Sequence, residues 1–249
     1  MLQYIFPYFF EFLVSLLLVP SQAEQDPILN PPFQTEPASA WADSVYNNMS
    51  NDERIGQLFM VAAWSNKGEA HVKEIENQIK KNHIGGLIFF QGGPGRQVHL
   101  TNRYQSISKI PLLIGIDGEW GLNMRLDSTI RFPRQMTIGA ANSPKDVYSM
   151  GKEIANHCKA LGIHINFAPV VDVNNNPLNP VINSRSFGEN REDVTELSKQ
   201  YMLGMQDNGV LACAKHFPGH GNADTDSHYD LPVINQPLEV LDSIELYPY

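Results

Sequence analysis

The sequence predicts an α/β fold, a TIM-type (β/α)8 barrel of which about five βα units are present. Three observations carry this reading. Apolar runs alternate with amphipathic ones along most of 249 residues, 42% of them apolar, enough for one sizeable core and one domain. The strand-like runs are apolar throughout, as expected of a parallel sheet. Polar residues gather where those runs end: Asp117 after the third, Asp172 after the fourth, Lys215 and His216 after the fifth. Chemistry spread over the C-terminal ends of several strands is the habit of the barrel. An open dinucleotide-binding sheet loses its main support, because no glycine fingerprint follows the first strand.

The elements follow in order. Residues 1–23 read as a signal peptide. Phe12 to Val19 is apolar and Ser21-Gln22-Ala23 suits small-residue cleavage, although the start carries no Lys or Arg and Glu11 interrupts it. The uninterrupted stretch is short for a membrane span, so export without lasting membrane insertion is expected. Residues 24–40 are rich in Pro and polar residues and read as an extended linker. Residues 41–249 carry the partial barrel. Ser50 or Asn51 before Asp52 and Glu53 marks a helix start.

Strands are expected at 57–63, 86–90, 112–116, 163–171 and 210–215. Helices are expected at 71–82, 96–108, 146–161 and 192–208, the first with Val72, Ile75 and Ile79 on one face. Residues 235–249 read as the start of another helix. A barrel needs eight strands, so this chain is expected to stop before the barrel closes.

The net charge of −9 and the lack of a basic block argue against a nucleic-acid surface. Cys158 and Cys213 read as two buried thiols rather than a bridge. Trp64, at a strand end, reads as core or rim rather than as a sugar platform.

The densest chemistry lies in "KHFPGHGNADTDSHYDLP", from Lys215 to Pro232. Lys215 and His216 follow an apolar strand and should face the mouth of the site. Pro218, Gly219 and Gly221 allow a sharp turn and close approach to backbone. Asp226 and His228 are two apart and share a side in an extended loop. A carboxylate that accepts from one ring nitrogen orients an imidazole and raises its basicity, which makes a proton-transfer pair. A structural loop and a metal site using His216, His220 and Asp224 or Asp226 are the competing readings. The metal reading is weakened because Pro218 and Gly219 forbid a regular helix between the histidines, and the first strand offers no ligand.

"KHFPGHG" followed by "DSH" resembles the signature loop of the β-N-acetylglucosaminidase branch of glycoside hydrolase family 3. "IGIDGEWG" and "NFAPVVDVNNNPLNPVINSRSFGEN" are similar to the family's segments after strands three and four. The resemblance runs from about Ser50 to the C-terminus. It departs at "DGEWG", where many members carry a Gln and a second Gly. The resemblance implies that Asp117 binds hydroxyls of the terminal sugar, and that Arg125, Arg185, Lys215 and His216 line the same pocket. It implies His228 as general acid/base, paired with Asp226, and an Asp nucleophile on a later strand not in this chain. A carbohydrate substrate is expected and no cofactor or metal; the oligomeric state is left open. Asp172 is expected to brace the loop through Asn174 to Asn176 rather than take part in catalysis. Peptidoglycan fragments are the expected substrate source. A non-catalytic sugar-binding or structural fragment is the alternative, and a metal-dependent hydrolase the third reading.

Overall fold

Two helices, α1 (Glu36–Asn47) and α2 (Asn51–Gly56), lead into five parallel strands laid side by side in chain order. These features come from a computed structural model, which describes residues 36–226 and 229–249. The strands are β1 (Met60–Ala63), β2 (Gly86–Phe89), β3 (Leu113–Ile116), β4 (Ile165–Asn166) and β5 (Leu211–Ala212). Between them run α3 (Glu69–Asn82), α4 (Pro94–Ile107), α5 (Gln135–Gly139), α6 (Pro144–Ala160) and α7 (Arg191–Gln206). Neighbouring parallel strands joined by helices form an incomplete TIM-type barrel, the fold class expected.

The register divides the sheet into two faces. Val61, Leu87 and Ile114 pair across three strands, as do Ala63, Phe89 and Ile116. Ala63, Leu87, Phe89, Ile114 and Ile116 are fully buried and join the helices in one core. The alternating residues Met60, Ala62, Ile88, Leu113 and Ile165 lie on the opposite, inner face and are only partly buried or exposed. Val72, Ile75 and Ile79 of α3 are buried, as their spacing predicts. Helices α6 and α7 cross closely because Gly151 and Gly204 meet there. A Cβ at Gly151 would stand 2.5 Å from Tyr201 O, and one at Gly204 2.3 Å from Tyr148 O.

Several expected boundaries are corrected. Helix α1 begins at Glu36, inside the segment read as an extended linker; Pro37 sits in its first turn, where a missing N–H leaves no bond unmade. The remainder of that segment and the signal-like residues 1–23 lie outside the described residues. The first strand starts at Met60 rather than Gln57. Ser50 opens α2 with a capping box, accepting from Glu53 N–H while Glu53 Oε2 accepts from Ser50 N–H at 2.8 Å. The helix then runs on to its Gln57 cap.

The fourth and fifth strands are shorter than their apolar runs. Beyond Asn166, Ala168 N–H turns back to Asn166 O, and Pro169 has no N–H to give. Gln135 stands in for a strand at Val170, accepting from its N–H at 3.0 Å and donating to its carbonyl at 2.7 Å. Pairing resumes as a single bridge, Val170 with Lys215. At the end of the chain, Leu238–Val240 is helical and Leu241–Glu245 forms a wider turn. Among the described residues no helix is long and apolar enough to cross a membrane. Cys158 is buried and Cys213 half-buried, both free, and burial pushes the Cys158 thiol up to about 12.

Candidate active site

The site is built on the C-terminal rim of β3, β4 and β5. Asp117 follows β3 directly and sits between two cations. Its Oδ1 accepts from Lys215 Nζ at 2.6 Å, and its Oδ2 pairs with Arg125. Arg125 comes from the turn after β3 and also donates from Nε to the Asp117 carbonyl at 2.9 Å. Lys215 reaches a second carboxylate, Glu119 Oε1, at 2.8 Å.

Glu119 is the buried anchor of the rim, with no exposed side-chain surface. Arg185 grips it with two bonds, Nε to Oε2 at 2.9 Å and a terminal nitrogen to Oε1 at 2.7 Å. This paired geometry is the strong form of the arginine–carboxylate bond. Burial works against the Glu119 anion, but the hydrogen bonds from Arg185 and the charge of Lys215 outweigh it and lower its pKa to about 2. Burial works against the Arg185 cation too, and Glu119 again outweighs it, so Arg185 is held above its ordinary range. Sequence reading gave Glu119 no role. The signal was an acid two residues beyond a strand-end aspartate, between Gly118 and Trp120.

The third carboxylate is Asp172. The expectation that it braces residues 174–176 is corrected, because it braces the loop after β5 instead. Its Oδ1 accepts from the backbone N–H of His220 at 2.7 Å and of His216 at 3.3 Å. Its Oδ2 lies 2.6 Å from His216 Nδ1. The other His216 nitrogen, Nε2, lies 3.2 Å from Arg185. Arginine only donates, so Nε2 accepts there and Nδ1–H donates to Asp172, which fixes tautomer and ring direction. The signal for Asp172 was an acid enclosed by valines, unusual unless paired.

Close packing sets the loop against this group. A Cβ at Gly221 would stand 1.7 Å from Val173 O, so only glycine fits. Asn179 donates to the carbonyls of His220 at 2.7 Å and Gly221 at 3.0 Å. Glu245, buried near the chain end, accepts from Asn175 at 3.2 Å and lies against Gly219. Burial pushes its carboxyl up.

Five of the seven residues singled out in sequence therefore meet: Asp117, Arg125, Arg185, Lys215 and His216. Asp226 is described, and its carbonyl accepts from Tyr229 N–H at 3.0 Å. His228 lies outside the described residues, so its pairing with Asp226 does too. No group of three or more His, Cys, Asp or Glu that could hold a metal ion occurs among the described residues. Fixed carboxylates alternating with guanidinium, ammonium and imidazole suit a ligand rich in adjacent hydroxyls.

Comparison with known proteins follows the same lines. The model of the glycosyl hydrolase family 3 N terminal domain matches residues 50–249. Beta-hexosaminidase A of Pseudoalteromonas piscicida is 38% identical over 189 residues, 71% of this chain and 32% of that protein. A solved family 3 beta-N-acetylglucosaminidase from a Paenibacillus strain is 37% identical, with a TM-score of 0.73 over 80% of this chain and 39% of that one. A beta-glucoside phosphorylase structure is 26% identical, with a TM-score of 0.82 over 88% of this chain and 39% of that one. The chain spans between about a third and a half of the length of the curated relatives it matches. With a family model matched over residues 50–249 and relatives alike in sequence and fold, the chain belongs to glycoside hydrolase family 3.

Proposed function

We propose that this chain is the substrate-gripping part of an exported, retaining glycosidase that removes terminal β-linked N-acetylglucosamine, with peptidoglycan fragments as its source of substrate. The carrying observation is the rim itself. Asp117, Glu119 and Asp172 are each held by cations or by His216 and the loop backbone. Such carboxylates orient hydroxyls and fix their neighbours. None is left as a free anion to attack the anomeric carbon, as a retaining mechanism requires. The nucleophile in this reading is an aspartate on a later strand, outside the sequence described.

His228 is the acid/base, oriented by Asp226. An imidazole passes a proton near neutral pH and adds no negative charge beside an anionic nucleophile. An imidazole in place of a carboxylate acid/base lets an anion approach more readily, which leaves attack by phosphate instead of water as a variant. Likeness to a beta-glucoside phosphorylase supports keeping that variant.

The test uses the full-length protein. His228→Ala should lower turnover of natural substrates by about a hundredfold or more, since general acid catalysis contributes on that order. It should cost far less for substrates whose leaving group needs no proton. Equal losses on both classes remove His228 from the acid role. Activity abolished by a chelator and restored by zinc overturns the glycosidase reading in favour of a metal hydrolase.

A further inference from the structure

Trp64, Phe90 and Asp117 occupy equivalent places in the sheet. Each is the first residue after a strand end, and those ends are paired, Ala63 with Phe89 and Phe89 with Ile116. Paired residues of a parallel sheet point to the same face. Phe90 N–H still bonds to Ala63 O at 3.0 Å, so the ladder geometry carries past the last pair. All three side chains therefore rise from the inner face, at the mouth, with neighbouring strands about 4.8 Å apart.

Contacts run along the same line. The Arg125 guanidinium that holds Asp117 lies 4.9 Å from the centre of the Phe90 ring. Phe90 stacks on Trp64, with centroids 5.8 Å apart and planes at 27°. Trp64 is fixed in turn by His71. Its backbone N–H donates to His71 Nε2 at 3.3 Å, and its ring meets the imidazole edge-on at 5.4 Å.

We propose that Trp64, backed by Phe90, is the platform for a second pyranose ring, the one on the leaving side of the scissile bond. This inference rests on the glycosidase reading. Past Arg125 the rim turns aromatic, at Phe90 and Trp64, with the exposed Lys67 over the indole. A pyranose has matching chemistry, with hydroxyls at its edge and a patch of weakly positive C–H groups on its face. That face suits the electron-rich face of an indole. Lys67 marks such a face, its ammonium 3.5 Å from the Trp64 ring centre. Lys67 is exposed, and an exposed cation–π contact is weak enough to give way to a sugar.

The test compares two donors on the full-length enzyme. One is N-acetylglucosaminyl fluoride, whose leaving group is a single atom. The other is a β-linked disaccharide with N-acetylglucosamine at its non-reducing end. Trp64→Ala should lower kcat/KM for the disaccharide about tenfold more than for the fluoride, the scale of one aromatic contact. Trp64→Phe should fall between parent and alanine variant. If Trp64→Ala does not fold, Trp64→Phe still decides. It should weaken binding of an uncleavable thio-linked disaccharide by about threefold more than binding of N-acetylglucosamine alone. Equal losses on both donors, or none, overturn the platform while leaving the glycosidase reading intact. A parent enzyme inert toward both donors overturns the glycosidase reading and this inference with it.

Discussion

The rim of the sheet has two unlike halves. Around β3 to β5 it is ionic: three carboxylates, two guanidiniums, an ammonium and an imidazole lie within hydrogen-bonding reach of one another. Around β1 and β2 it is aromatic, with Trp64 stacked on Phe90 and edged by His71. The ionic half depends on mutual neutralisation, because a buried charge left alone is costly. The aromatic half depends on contact area and geometry, which tolerate single losses better. Damage to one member should therefore propagate through the ionic half and stay local in the aromatic half.

The largest effect is expected from Glu119→Ala, which leaves Arg185 and Lys215 facing a buried gap. Removing one partner of a buried ion pair costs about 3 kcal/mol or more. Urea denaturation of the full-length protein should show that loss together with loss of activity. A change below about 1 kcal/mol would mean that the ionic half is not mutually dependent. Asp172→Ala comes next. It frees His216 to rotate and leaves the His220 N–H unpaired, a cost of about 1–3 kcal/mol. Steady-state kinetics should show kcat/KM reduced about tenfold or more, with Asp172→Asn recovering part because it can still accept a bond. No recovery by asparagine would show that charge, not orientation, is what Asp172 supplies.

Acid separates the halves further. Glu119 is held at about 2 against an ordinary 4.5. Its contribution to stability is complete above pH 4.5 and is lost as pH falls toward about 2. A stability profile over that window should be steeper for the parent than for Glu119→Gln. The smallest effect belongs to His71. Burial first, and the charge of Lys67 second, lower its pKa from 6.5. Neutral His71 thus contributes stability above pH 6.5, and that contribution is lost as pH falls to its lowered value. Thermal denaturation of His71→Gln should lack this shallow slope. An identical slope in both proteins would separate His71 from the support of Trp64.

Sequence alone determined the α/β class, the order of the five strands and of the four long helices between them, and the place of Asp117 directly after the third strand. Periodicity and apolar runs report burial, and burial of short segments is a local property. The helix face of Val72, Ile75 and Ile79 was legible for that reason. Tertiary structure decided the rest. Glu119 became an anchor only when Arg185, 66 positions away in sequence, folded over it. Asp172 could be joined to His216 only through the meeting of β4 and β5 loops, 44 positions apart. Strands four and five were cut short by Pro169 and by the Gln135 side chain, which replaces a strand partner at Val170. Each of these outcomes depends on a long-range pairing of polar groups. Sequence names the donors and acceptors, but which donor meets which acceptor is fixed only when the chain closes around them, because a hydrogen bond acts over about 3 Å.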